Sequence, residues 1–406
     1  MKLVKKLSRM RLVGKTALIF LAFLAGCEGG GTKDYGPIEN YADLYHGVSQ
    51  YLTGQVICSS CTDYQNGDVI PDEGDSNAYY PALIYSLSLE GRASESELAV
   101  AAEMVAREIT LIDGLSQSGI ISSLNEPTKL SEVYIGIAGL LKAYEATLRP
   151  EYLDAIHKYF SIFSPLVTES PSLLKMDYLM SINIPWYGPT TIFGGLAGFF
   201  LQYRLSVPKA EDRGSISDTG LAILSKLDDL VYDPARKNFR YMSNSEDFLY
   251  LYSSVCTVQG LLRAHLVTKE SGYLDQARAV MEEMENLYDN EYGGYLAAEH
   301  NPSYFTAYES LSQGQYQQKY IPLSGSNYLI YTNLILYQIT REEIYLTRAD
   351  KIFNFIETKL YANGKANHHL LDGTLSDADL YCAGCNFQLL YNIYLYDRLK
   401  KGGKVL

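Results

Sequence analysis

The chain has 406 residues, a formal charge of −13, 47% apolar residues and 20% charged residues. So acidic a protein has no electrostatic attraction for nucleic acid or for an anionic membrane surface, which excludes both as charge-driven partners. The apolar fraction is ample for a large core. No Pro/Gly/Ser linker follows Gly36, which argues for one large domain where length alone suggests two or three.

The N-terminus is separate from that domain. Lys2, Lys5, Lys6, Arg9, Arg11 and Lys15 form a positive segment, and Thr16–Ala25 is a short apolar run of secretory-signal type, too short to span a bilayer. The run ends in Leu24-Ala25-Gly26-Cys27, which resembles the bacterial lipobox. That resemblance implies a signal peptide over residues 1–26 and lipidation of Cys27, and residues 27–37 read as a flexible tether. Glu28 rather than Asp, by the same resemblance, favours the outer membrane, with the protein facing the periplasm or the cell surface. Removing residues 1–26 deletes six positive charges and no acidic residue, so the formal charge falls from −13 to −19. The lipid, not the protein surface, would then hold the chain to the membrane.

Helices follow in a rhythm. Tyr41–Leu52 is the first. Pairs are then predicted at Ser76–Glu90 with Glu95–Ile112, Ser131–Thr147 with Glu151–Phe163, and Thr191–Ser206 with Ile216–Val231. Two more follow at Asp247–Val267 with Tyr273–Tyr288 and at Ser326–Ile339 with Glu342–Tyr361, and Asp379–Lys400 is last. Leu249, Val255, Val258, Leu262 and Leu266, and in the partner helix Ala277, Val280, Met281 and Met284, recur at helical spacing. Turns such as Gly91–Ser94, Leu148–Pro150, Thr268–Gly272 and Thr340–Arg341 are short and force antiparallel neighbours, whereas Val207–Ser215 is looser. The connections between pairs are long and alternate with the turns, so all emerge on one face. A weak repeat, Tyr273-Leu274-x-x-Ala277 and Tyr345-Leu346-x-x-Ala349, with a looser copy at Tyr152-Leu153-x-Ala155, marks the second helices. The expected fold is all-α, an (α/α)6 toroid over residues 38–406, closed by pairing the last helix with the first. Any site lies among the long loops.

The stretch Tyr288-Asp289-x-x-x-Gly293-Gly294-Tyr295 with Ala297-Ala298-Glu299, then Pro322-x-Ser324-Gly325-Ser326-Asn327, carries a family resemblance. A degraded copy is Tyr232-Asp233-Pro234 through Asn238-Phe239-Arg240-Tyr241. In each, Asp would end a helix, glycine would permit a tight reversal and the aromatic would start a short strand. Tyr250–Ile356 resembles the helical toroid of the N-acylglucosamine 2-epimerase and six-hairpin glycosidase superfamily, most of all the toroid half of spermatogenesis-associated thioredoxin-domain proteins. No thioredoxin domain is visible. The resemblance implies a pocket at the mouth of the ring, a glycan or oligosaccharide ligand, and either paired carboxylates for glycoside cleavage or histidines for epimerisation.

On that basis His300, which closely follows the Gly-Gly-Tyr motif, is the leading acid/base residue, with Glu299 and Asp379 as candidate carboxylates. Trp186 (the one tryptophan), Tyr187, Tyr295 and His369 are candidate ligand contacts, although most of the 36 tyrosines read as helix packing rather than ligand contact. A non-catalytic binding or assembly lipoprotein using the same face is the alternative.

Cys58-Ser-Ser-Cys61 and Cys382-Ala-Gly-Cys385 fall on the expected loop face, and the next residues, Thr62 and Asn386, are not the His of covalent haem attachment. Three readings stay open. They are two disulfides within or between the pairs, a four-thiolate zinc or other metal site, and a redox pair with Cys382 at a helix N-terminus. Cys256, in an apolar helix, reads as inert core.

Overall fold

The computed structural model describes residues 35–55, 73–114, 127–168, 188–207, 213–241, 243, 249–299, 319–376 and 382–406. Twelve α-helices lie among them: α1 (Ala42–Gln55), α2 (Glu73–Leu89), α3 (Glu95–Gly114), α4 (Pro127–Thr147), α5 (Pro150–Thr168), α6 (Gly188–Ser206), α7 (Arg213–Val231), α8 (Leu251–Thr268), α9 (Ser271–Glu283), α10 (Leu323–Thr340), α11 (Glu343–Phe355) and α12 (Ala383–Lys400). Along the even-numbered series, α2, α4, α6, α8, α10 and α12 each pack on the next, and α12 packs back on α2. They form a closed inner ring. The odd-numbered helices lie outside it, each against its partner, with α1 on α12. The expected all-α toroid is the observed fold, and the first and last helices make its sixth hairpin.

The two rings differ in how they tolerate burial. Outer helices are amphipathic: α9 buries Ala277, Val280 and Met281 and turns its remaining faces outward. Inner helices are covered nearly all round. Most of α8 and α10 is buried, polar side chains included. Several of those polar groups bond the preceding turn of their own helix: Thr332 Oγ1 donates to Tyr328 O (2.8 Å), Asn333 Nδ2 to Leu329 O (2.8 Å) and Thr257 Oγ1 to Ser253 O (2.8 Å). Side chains that bond the preceding turn let a helix carry Ser, Thr and Asn into an interior without orphaned donors.

Three outer helices end in the same device. β1 (Tyr232–Asp233) pairs with β2 (Asn238–Phe239) after α7, β3 (Tyr288–Asp289) with β4 (Gly294–Tyr295) after α9, and β6 (Tyr361–Ala362) with β7 (Lys365–Ala366) after α11. Asp289 Oδ1 accepts the N–H groups of Glu291 (2.9 Å) and Tyr292 (3.0 Å), and Asp233 Oδ1 those of Ala235 and Arg236. Gly293 sits at φ +81°, and Lys237, at the matching position of the degraded copy, at +53°. The third copy, Tyr361-Ala362-Asn363-Gly364, keeps the first Tyr and the glycine but has no Asp at the second position and no aromatic in its return strand. Before two of these hairpins the helix changes pitch, tightening over Met284–Leu287 and widening over Ile356–Leu360, so α9 and α11 are shorter than their apolar periodicity predicts. A further sheet, β5 (Tyr320–Pro322), β8 (His369–Leu371) and β9 (Thr374–Leu375), lies before the N-terminus of α10.

Candidate functional site

The long connections join the end of each outer helix to the start of the next inner one, so they share one end of the ring. Several expected site residues, Trp186, Tyr187, His300 and Asp379, lie outside the described residues, as do Cys27, Cys58 and Cys61.

Of the others, Glu299 is half-buried and bridges two connections. Its Oε2 takes Arg236 Nη2 at 2.9 Å and the N–H of Leu249 at 3.3 Å. Tyr295 is buried, with its hydroxyl donating to Glu285 Oε1 (2.8 Å) and its ring against Tyr288 (5.1 Å between centroids). Arg348 completes that cluster through Glu285 (3.0 Å), which places Tyr295 between α9 and α11. His369 lies in β8 with its ring 4.8 Å from Tyr320, and its Nδ1 is 2.9 Å from that of His368. One of the two nitrogens must therefore be protonated and donate to the other. Burial pushes His368 down to about 4, reinforced by His369, and burial also lowers His369, so both imidazoles are neutral at pH 7.

Cys382 and Cys385 are joined to each other, with Cα atoms 5.2 Å apart at the start of α12. This corrects the metal reading. A zinc site at Cys58, Cys61, Cys382 and Cys385 needs four thiolates, and two are consumed in a disulfide. Among the described residues no cluster of His, Cys, Asp or Glu could hold a metal ion. A bridge from Cys382 or Cys385 to the other pair is likewise not formed.

The inner ring surrounds a cavity of about 60 Å³ that opens to solvent. It runs from the middle of the inner helices toward their C-terminal ends, where Val405 and Leu406 wall it, their N–H groups held by Gln338 Oε1. Tyr79, Tyr328, Tyr331 and Tyr391 face it. Its charged side chains are Lys142 and Arg263. Arg263 donates to Gln202 Oε1, to Gln259 O and to the Tyr331 hydroxyl, each at 3.0 Å. Lys142 Nζ is 2.8 Å from Glu145 Oε2. Burial works against the Lys142 ammonium, but Tyr391, Glu145 and Tyr331 outweigh it, so its pKa is raised. A row of tyrosine rings reaches this cavity from the loop end: Tyr241 to Tyr250 (5.2 Å), Tyr250 to Tyr252 (5.5 Å) and Tyr252 to Tyr328 (6.1 Å). Sequence reasoning did not single out Arg263, Gln259 or Lys142. The available signal was Gln259 and Arg263, four residues apart on an otherwise apolar helix. Cys256 is buried as expected but lines the cavity.

No protein-family model matches the sequence, nor does any curated protein. Solved structures do match in fold. A glycosyl hydrolase family 88 protein from Bacteroides vulgatus is 12% identical, aligns over 90% of this chain and 100% of its own, and has a TM-score of 0.58. The cellobiose 2-epimerase of Spirochaeta thermophila is 11% identical over 89% of this chain and 98% of its own, at 0.58. An unsaturated glucuronyl hydrolase specific for heparin is 11% identical over 91% and 96%, at 0.56. Closed inner ring, outer partners and loop-side hairpins together give this chain the fold of the six-hairpin glycosidase-like toroids.

Proposed function

We propose that the protein is a carbohydrate-active lipoprotein, a sugar epimerase or glycoside hydrolase that takes a glycan at the loop-side mouth of its toroid. The carrying observation is the closed ring of six hairpins, the fold also seen in the family 88 glycosyl hydrolase and the cellobiose 2-epimerase, with its long connections gathered at one mouth. The neutral His368–His369 pair supports epimerisation, because one imidazole can accept a proton while the other donates. Trp186, Tyr187 and His369 are the proposed ligand contacts, Tyr295 being taken up by Glu285, and His300, Glu299 and Asp379 are the proposed acid/base groups. Residues 1–26 are the proposed signal peptide, with Cys27 lipidated and the body at the bacterial outer membrane. The ion pair of Glu299 with Arg236 favours a second reading, a glycan-binding lipoprotein without turnover.

The test is a panel of neutral and acidic oligosaccharides, scored for binding by calorimetry and for epimerised or cleaved products by NMR. Turnover lost in His368→Asn and His369→Asn supports epimerisation. Binding without product supports the second reading. Neither binding nor product from any member rejects both.

A further inference from the structure

The cavity inside the ring has a chemistry that a glycan at the mouth does not explain. Arg263 is 5% exposed, and its partners are a side-chain amide oxygen, a backbone carbonyl and a phenol. Those partners use three of its five N–H groups, and none of them carries a negative charge. No Asp or Glu side chain of the described residues lines the cavity, and the second charge on its wall, Lys142, is also positive. Glu145 serves Lys142, not Arg263. A buried guanidinium whose hydrogen-bond partners are all neutral favours an anion as its ligand, against the repulsion of the protein's net charge of −13.

The rest of the wall restricts what that anion can be. Ala82, Ala138, Leu141, Phe199 and Cys256 are apolar. The polar neighbours are already engaged: Gln202 accepts from Arg263 and donates to Ser206 Oγ (3.0 Å), and Gln259 donates to Thr332 Oγ1 (3.1 Å). A polyhydroxylated ring would find few partners here. A molecule with one anionic end and an apolar body would place its charge at Arg263 and its body against Leu141, Phe199 and Tyr328.

We propose that the inner cavity is a second binding site, distinct from the loop-side mouth, for an organic monocarboxylate with an apolar body, recognised by Arg263 with Lys142 beside it. The inference does not rest on the glycan reading. In a complex, the carboxylate would take the two remaining guanidinium N–H groups, and the tyrosine hydroxyls of Tyr331 and Tyr391 would border it.

The probes are octanoate and its neutral counterpart 1-octanol, titrated calorimetrically into the full chain and into Arg263→Gln. The expected result is at least tenfold tighter binding of octanoate than of octanol, with the preference abolished in Arg263→Gln and octanol binding unchanged. Equal affinity for the two probes, no binding of octanoate, or an unaltered preference in Arg263→Gln overturns the proposal. Should Arg263→Gln fail to fold by circular dichroism, the wild-type chain decides alone. Octanoate, but not octanol, should slow modification of Cys256 by methyl methanethiosulfonate at least threefold, read by peptide mass spectrometry. No difference in protection between the two probes also overturns it.

Discussion

Asn40 and Asp397 stand 357 positions apart, and Asp397 Oδ1 accepts both the backbone N–H (3.1 Å) and the side-chain N–H (2.8 Å) of Asn40. The N–H of Glu39 adds a third bond at 3.1 Å, and Lys401 pairs with the other carboxylate oxygen at 2.8 Å. Beside it, Asp350 takes the hydroxyls of Tyr41 (2.7 Å) and Tyr396 (2.6 Å). The chain's two ends are therefore locked where α1 meets α12, and the ring is closed by buried acceptors rather than by apolar contact alone.

Replacing Asp397 by Ala leaves those N–H groups and Lys401 without their acceptor, and is expected to lower stability at pH 7 by about 3 kcal/mol. Burial raises the Asp397 pKa, but the bonds from Lys401, Asn40 and Glu39 outweigh it and hold the carboxyl below its usual value of 3.8. A depressed carboxyl stabilises the fold above its unfolded pKa, and that contribution is lost as pH falls through the folded value. Urea titrations at pH 7 and pH 3 check this: the gap between wild type and Asp397→Ala should narrow at the lower pH.

His368 gives the opposite residue type and a different window. Its pKa falls from 6.5 to about 4 on folding, so between those values the unfolded chain binds more protons. Stability should therefore decline as pH drops from 6.5 toward 4, by on the order of 2 kcal/mol. His368→Asn should flatten that part of the profile. Thermal melts at half-unit intervals would show it, and an unchanged slope would discount the buried-pair geometry.

Gly194 lies where α6 crosses α8. A Cβ there would sit 2.8 Å from the backbone nitrogen of Thr257 and 2.9 Å from its Cα. Backbone cannot yield as a flexible side chain can, so Gly194→Ala should destabilise by about 1–3 kcal/mol, measured by chemical denaturation. Gly272, with nothing within 4 Å of its Cβ position, is the control and should accept Ala at no cost.

The Cys382–Cys385 bridge closes a very short loop, so its loss in Cys382→Ser should cost no more than about 2 kcal/mol. Thiol titration of the unfolded, unreduced chain should find neither cysteine reactive before reductant is added. Both reacting without reductant would refute the bridge.

Much of the ring was legible in the sequence because alternating turn and loop lengths are local properties. Short turns dictate antiparallel partners, and five successive hairpins, with a first and a last helix left to pair, dictate a toroid. The hairpin after α9 was legible for the same reason: Asp289 and Gly293 act on their own neighbours. The hairpin after α11 was not, because Ala362 and Ala366 stand where the other copies have the Asp and the second aromatic. Asn386 there supplies the clamp from a distant helix, exchanging bonds with the N–H and carbonyl of Ala366 at 2.9 Å each.

Sequence alone thus determined the helical hairpins, their pairing and the face that carries the long loops, since each depends on interactions within a few turns of chain. Tertiary structure alone decided that Cys382 bonds Cys385, that Tyr295 is committed to Glu285, and that Arg263 faces an apolar cavity. The last of these depends on which inner helices lie opposite one another. That arrangement exists only once α12 has met α2 and the ring has closed on itself.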